Sequence, residues 1–547
     1  VAYGREELLD AGRYFNERHA SRALHARGVM GILRAPPRLV DVPLEAEHAF
    51  NRAATEVFRN RLVVPETYDP FEPPKRAGTI KRRHQRWHID GSIWFGRKKY
   101  GNSRDYYENE RARRDMFEAD WHMAHQGHGL AKDVERTTSQ GPNHEHIWLD
   151  SDNNGVHDSV DATKEALWQH HELLYRVFDY YCTIYGSKRT ASGEYDIFNM
   201  NLNAFTEFCR DCGLDERLSM STLTQIWSQV NAEELKTAHL DVFNRKHQLN
   251  RHEFLQTIVR IAIGMYLGRA GTRSAGEQAS TPKQSHAATV SDAVTKLCAD
   301  ILREAPPECH QDSNEFRRHR CYNEYTDAAL RAHEGSLRRI FEVYAACNRD
   351  KEDKLQRQSL MSAGEWCAFL QHLGLFDSGQ VSLFGAHMTF KWSIIRTAHD
   401  YGVASLSKLR NMMFEDFLEA LVRLACVLAL PTDMEVRQAG AGDAGEFFLE
   451  LLHGGTSTEI RTFVDTRRVA WLHEPRQAVH RCVAHLLSLI VRTVERNISR
   501  STSGGANMII DCEEAQQFAA RRQQGKELTS IVGRAGLLDS IRAAASI

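Results

Sequence analysis

The sequence predicts an all-α fold built on a duplicated helical module, and three observations predict it. First, "FLQTIVRIA" at Phe254 to Ala262 recurs as "FLEALVRLA" at Phe417 to Ala425, with five of nine residues identical and an offset of 163. Second, "LYRVFDYY" at Leu174 to Tyr181 recurs as "LRRIFEVY" at Leu337 to Tyr344 with that same offset. Third, the apolar residues of these segments recur at helical spacing rather than in the alternation of strands. Between the two pairs, "FTEFCRDCGL" (Phe205 to Leu214) matches "WCAFLQHLGL" (Trp366 to Leu375) at an offset of 161, as expected if one loop differs by two residues. Self-similarity at one spacing marks a repeated supersecondary unit.

Taken in chain order, residues 1–130 predict a largely extended basic N-terminal arm with short helices. One helix is expected over Glu45 to Arg61, and the Pro-containing "VVPETYDPFEPPKRAG" then breaks regular structure. From Lys75 to Arg114 there are 13 Lys or Arg against 4 Asp or Glu, a net of +9, interleaved with aromatic residues. Charge and aromatic anchoring of this kind suit an acidic partner surface, which makes Arg82, Arg83, Arg86, Trp87, Trp94, Arg97, Lys98 and Lys99 candidate contacts. Residues 131–163 form an acidic connecting segment.

The first module spans 164–268 and the second 326–431, each running helix, loop, helix ending in Gly-Leu, then two more helices. Gly213 and Gly374 sit where a left-handed residue closes a helix C-terminus. In the closing helices, Phe254, Leu255, Ile258, Val259, Ile261, Ala262, Met265 and Tyr266 make one apolar stripe, matched by Phe417, Leu418, Leu421, Val422, Leu424, Ala425 and Leu428. Arg260 and Arg423 fall outside the stripe at the same repeat position, so both join the candidate contacts to an acidic neighbour. Residues 269–325 hold a Gly/Ser/Thr/Ala-rich linker and connecting helices. Residues 432–547 form a C-terminal helical region, with a long amphipathic helix after "AWLHEPRQ".

Helix-loop-helix pairs whose second helix opens on "HEFL", "GEWC" or "EDFL" have the outline of EF-hands, whose loops end in a carboxylate. With Glu253, Glu365, Asp416 and Ala204 at the loop's last position, none of the twelve residues at positions 1, 3 and 5 is a carboxylate. Calcium takes six to eight oxygens, largely from such side chains, so these loops are not expected to bind it. The fold class is therefore two tandem degenerate EF-hand-like helical modules flanked by the basic arm and the helical C-terminal region.

The nearest match to a calcium loop lies elsewhere, in "DSDNNGVHDSVD", with Asp150, Asp152, Asn154, Asp158 and Asp161 at the ligand positions and Gly155 at the turn. His157 at position 8, Asp in place of Glu at position 12 and a poor preceding helix favour an acidic turn leading into the Lys164 helix. Cys209 and Cys212 form a lone CxxC, and His122, His125 and His128 have no set fourth partner, so zinc is not expected. "GAGDAG" at Gly440 to Gly445 follows a helix rather than a strand and reads as no dinucleotide site. No cofactor and no catalytic constellation is expected.

Lys plus Arg total 70 against 72 Asp plus Glu, and 42% of residues are apolar, a globular composition. Eleven scattered cysteines predict reduced thiols and an intracellular setting. The most apolar runs are about ten residues, short of the roughly 20 that span a bilayer, so no membrane segment is expected. No nucleic-acid module is recognisable. Opening at Val1 without an initiator Met, the sequence is expected to have its true N-terminus missing or processed.

The order of "SIWFGRKKYGNSRDYYENERARRDMFEADW" (Ser92 to Trp121), "KEALWQHHELLYRVFDYY" (Lys164 to Tyr181), "FRRHRCYNEYTDAALRAHEGSLRRIFEVY" and the paired "EFLQTIVRIA" and "DFLEALVRLA" resembles EF-hand-like proteins of ciliary and flagellar axonemes. Some of these are microtubule inner proteins of doublet microtubules. The resemblance implies a non-enzymatic structural protein that binds tubulin and neighbouring axonemal proteins through helical modules joined by extended arms. The competing reading is a calcium-sensing EF-hand regulator, or a regulatory subunit of a phosphatase or kinase, built from the same helix pairs.

Overall fold

The computed structural model describes residues 87–98, 105–126, 129–139, 157–184, 196–234, 247–267, 287–345, 360–396, 409–497 and 510–523. Every described residue belongs to one compact unit, 87–547. The all-α class holds. Among the described residues, regular structure is helical except for one pair of two-residue strands and one isolated bridge.

Helices α1 (Glu110–Gln126) and α2 (Gly129–Ser139) lead into α3 (Asp158–Ile184), where the first module begins. Its strand β1 (Met200–Asn201), α4 (Leu202–Asp211), α5 (Met220–Glu234), strand β2 (Gln248–Leu249) and closing helix α6 (Arg251–Ala262) follow, with a π-helical turn over Ile263–Leu267. After α7 (Val290–Glu304), a short helix α8 (Ser313–Phe316) runs into a second π turn, Arg317–Cys321, and then α9 (Glu324–Arg331). The second module comprises α10 (Glu334–Ala345), α11 (Ala363–His372), α12 (Leu383–Ser393) and closing helix α13 (Phe414–Val427). The C-terminal region adds α14 (Asp433–Ala439), α15 (Ala444–Gly454), α16 (Ser457–Arg467), α17 (Val479–Asn497) and a last helix over 512–523.

The duplication is three-dimensional. Met200 pairs antiparallel with Leu249, and Met361 pairs antiparallel with Met412 through backbone bonds of 2.9 and 2.8 Å. These positions differ by 161 and 163 residues, the two offsets found in the sequence. Gly213 (φ 62°) and Gly374 (φ 77°) are both left-handed, and the amides of Leu214 and Leu375 reach back to the carbonyls of Cys209 and Leu370 at 2.8 and 3.1 Å. Both are C-terminal helix closures that an L side chain would strain.

Two apolar cores result. In one, α1, α2 and α7 complete the first module around Phe178, Phe208 and Phe254. In the other, Trp94, α15 and α17 complete the second around Trp366, Phe369 and Phe417. The modules touch where α3 meets α12: Tyr180 packs edge-on against Phe384, and Thr183 contacts Met388. The glycine string at 440–445 is structural. Gly440 (φ 73°) ends α14, Asp443 caps α15, and a Cβ on Gly445 would stand 2.5 Å from the Ser488 carbonyl oxygen of α17.

The closing helices depart from the sequence reading in one respect. An amphipathic helix should keep a solvent face, but every residue from His252 to Ala262 is buried, as is α13 apart from Glu415. The polar side of each is covered by chain from upstream of the modules, so Arg260 and Arg423 face protein.

Candidate functional site

The loop-closing acids have local work. In α6, Asn250 accepts from the Glu253 amide at 3.1 Å while Glu253 accepts from the Asn250 amide at 2.7 Å. Ser362 and Glu365 make the same reciprocal cap on α11, at 3.3 and 2.7 Å. Asp416 accepts from the Met413 amide at 3.0 Å, and in the fourth helix Asn201 accepts from the Ala204 amide at 3.0 Å. All four helices thus start at the same point of the repeat, with N-terminal amides satisfied by side chains.

Polar seams run along the outer sides of the two closing helices. In the first module, the Arg251 guanidinium donates to Asp120 of α1 at 2.5 and 3.1 Å, Gln256 to the Ala124 carbonyl at 3.1 Å, and Arg260 to Asp133 of α2 at 2.9 Å. Tyr175 also donates to Asp120 at 2.5 Å. Burial and then the Asp120 charge hold that phenol well above its ordinary pKa.

In the second module the polarity is reversed. Glu419, fully buried, takes the place of Gln256, and accepts from Arg97 at 2.6 Å, Arg317 at 2.9 Å and Arg423 at 2.7 and 2.8 Å. Burial alone would raise its pKa, but Arg317, Arg97 and Arg423 together bring it down to about 2. Asp416 takes a further Arg97 bond at 3.1 Å, and Tyr322 accepts another at 2.7 Å.

The network continues into the first module. Glu108 lies 3.7 Å from Arg317 and 3.5 Å from Arg396, and Asp179 of α3 binds Arg396 and Lys391, both at 2.7 Å. Lys391 also donates to the Ile197 carbonyl at 2.8 Å. Five cations and four carboxylates therefore form one chain of contacts across both modules. Beside it, Phe178, Asn199, Arg251 and Arg410 help line a cleft of about 80 Å³.

No protein-family model, curated protein or solved structure matches this chain. The reading therefore rests on its own geometry, which changes several expectations. Trp94 and Arg97 are not arm contacts: in a 3-10 turn, Ile93–Arg97, both are 0% exposed and packed against Tyr322. Arg260 and Arg423 are 7% and 1% exposed and are held by Asp133 and Glu419. An arginine outside an apolar stripe reads as solvated, but here carboxylates meet each one, so burial leaves no charge unpaired.

Trp87 is half-buried and donates to Asp327 at 3.0 Å, and Lys98 stands 3.6 Å from Asp90. Arg82, Arg83, Arg86 and Lys99 lie outside the described residues, as do Asp150, Asp152 and Asn154. Asp158 and Asp161 occupy the first turn of α3, where acids favour the helix N-terminus. Cys209 and Cys212 are buried, burial pushing the Cys212 thiol up to about 12. His122 and His125 are on α1, and His128 lies outside the described residues. Among the described residues no three His, Cys, Asp or Glu side chains converge on one point as a metal set would.

Sequence reasoning missed Glu419, Arg317, Glu108, Arg396, Lys391 and Asp179. One signal was available: Glu419 and Arg423 stand four apart within the otherwise apolar stretch Phe417–Val427, a spacing at which side chains meet. Nothing local announces their partners, which come from 102 and 322 residues away.

Proposed function

We propose that the chain is a non-enzymatic structural protein of the ciliary or flagellar axoneme, binding tubulin and neighbouring axonemal proteins to stabilise doublet microtubules. The modules are EF-hand-like pairs: helix, loop and helix twice over, with the two loops joined by a short antiparallel bridge. One observation carries the reading of these pairs as scaffolds rather than sensors. Glu253, Glu365 and Asp416, which a calcium loop would turn towards its ion, are committed to backbone amides of their own helix starts. The helix pairs are thereby set by capping and by the apolar core. The axonemal assignment itself rests on the resemblance borne by the 92–121, 164–181 and closing-helix segments.

The test is co-sedimentation of the full chain with microtubules and its retention on salt-washed axonemes. Retention is expected, and loss into the soluble fraction at low salt would overturn the assignment. Calorimetric titration with calcium is expected to give no heat of binding; micromolar binding would restore the sensor reading. Replacing Arg82, Arg83, Arg86 and Lys99 with glutamine is expected to weaken sedimentation.

A further inference from the structure

With Trp94, Arg97, Arg260 and Arg423 committed inside the protein, a partner must be met by other side chains. Three of the most exposed large apolar residues, Tyr325 (55%), Leu472 (50%) and Met434 (61%), are tied to one surface. Tyr325 packs on His480 at 5.2 Å; the adjoining Arg481 binds Asp433 at 2.9 Å, and Met434 follows Asp433. Arg320, one turn before Tyr325, donates to the carbonyl of His473, which follows Leu472, and approaches Glu474 at 3.7 Å. Residues 318–325, 432–437 and 467–481 thus form a continuous face at the start of α17.

Its charge differs from that of the whole chain. These stretches carry seven arginines, no lysine and four carboxylates, a net of +3, on a chain whose formal net charge is −2. Three of the carboxylates are already engaged: Asp433 by Arg481 and His485, Glu435 by Arg467, and Glu474 by Arg320. The surplus is all guanidinium, whose planar fork matches carboxylates two bonds at a time. Interspersed Leu and Met side chains favour a protein over a phosphate backbone, and Tyr with Arg is the pairing that concentrates binding energy at interfaces.

We propose that this face docks an acidic protein segment containing aromatic or apolar residues. The inference builds on the proposed function by placing the partner contact, and it can fail separately. The probe is a fluorescent glutamate–tyrosine copolymer, with polyglutamate and duplex DNA as comparisons, titrated against the full chain at low and high salt. The triple variant R437E/R468E/R481E is expected to weaken copolymer binding by about tenfold or more, and M434S/L472S to weaken the copolymer but not polyglutamate. The pair R210E/R303E, equally exposed on the first module and α7, is expected to stay within about twofold of wild type.

Unchanged circular dichroism is required of each variant, and one that unfolds is replaced by the matching Gln substitutions. The inference is overturned if the triple variant binds like wild type, if R210E/R303E loses as much, or if DNA binds more tightly than the copolymer. Should wild type and triple variant sediment equally with microtubules, this face is overturned and the axonemal reading stands. Should neither sediment while copolymer binding still depends on the arginines, the face stands and the axonemal reading falls.

Discussion

The two closing helices share five of nine residues in their core segment and the same apolar stripe, yet their outer sides meet opposite chemistry. In the first module, arginines of α6 reach out to acids that α1 and α2 supply, and the middle of the seam is a neutral amide, Gln256. In the second, an acid at that middle position draws in arginines from three places: the 93–97 turn, the π turn after α8, and α13 itself. The first seam is a set of pairs whose edges reach solvent, Asp133 being 40% exposed, whereas Glu419 and its three guanidiniums are closed off completely. Two differences on a repeated helix, Arg251 against Phe414 and Gln256 against Glu419, thus accompany the change in what docks on it. They also accompany the change in how much of the fold depends on the docking.

The largest test of that contrast is Glu419→Gln set against Gln256→Ala. The first leaves three buried guanidiniums short of their shared counter-charge and is expected to cost about 3–5 kcal/mol. The second removes one neutral hydrogen bond and should cost about 1 kcal/mol. Urea denaturation followed by far-UV dichroism reads both, and equal losses would erase the distinction between the seams.

Acid should separate the modules next. Glu419 has a folded pKa of about 2 against 4.5, so its contribution is present above pH 4.5 and is lost as pH falls towards 2. His387, buried on α12 near Lys391, is held down to about 4, so its contribution is present above 6.5 and is lost as pH falls towards 4. Hydrogen exchange is expected to show α12 and α13 losing protection through these windows before α6 does. Earlier loss at α6 would contradict it.

A smaller effect is expected at the caps. Ser362→Ala in the second module and Asn250→Ala in the first should each cost about 1 kcal/mol, because the repeat builds both helix starts alike. A large difference between them in thermal melts would mean that the loops differ as much as the seams do.

The smallest effect concerns the two arginines at the shared position. Arg423→Met removes one of three cations around a carboxylate that keeps two, and is expected to change stability by less than about 1 kcal/mol. Burial lowers the pKa of that guanidinium despite Glu419, a sign that its charge is poorly accommodated. Arg260→Met, breaking a pair with a half-exposed acid, should also cost no more than about 1 kcal/mol.

The helices of the two repeats, the duplication, the left-handed glycines and the acids at the helix starts were legible, because each is set by neighbours within a few residues, whereas α1 and α2 lie where an extended arm and an acidic connecting segment were expected. The apolar stripes were legible for the same reason, since periodicity reports the face a helix buries. The other face was not. Whether Arg260 and Arg423 meet water or a carboxylate depends on Asp133 and Glu419, and in the second module on a turn that the charge count presented as part of an exposed arm. Composition made Arg97 look like a surface cation. What makes it internal is Glu419, and no local pattern joins residues 322 positions apart.

That separation also sets an order of events during synthesis. Chain growing at about 5–20 residues per second needs roughly 15–65 s to pass from Arg97 to Glu419. By the end of that interval the Trp94 ring and the Arg97 guanidinium are still without their final surroundings, while α1, α2 and the first module already have theirs. The turn at 93–97 is therefore made before either module and is among the last segments to be seated. A nascent chain halted before α13 should present that tryptophan to whatever binds exposed aromatic sequence, and should stop doing so once residue 430 has emerged.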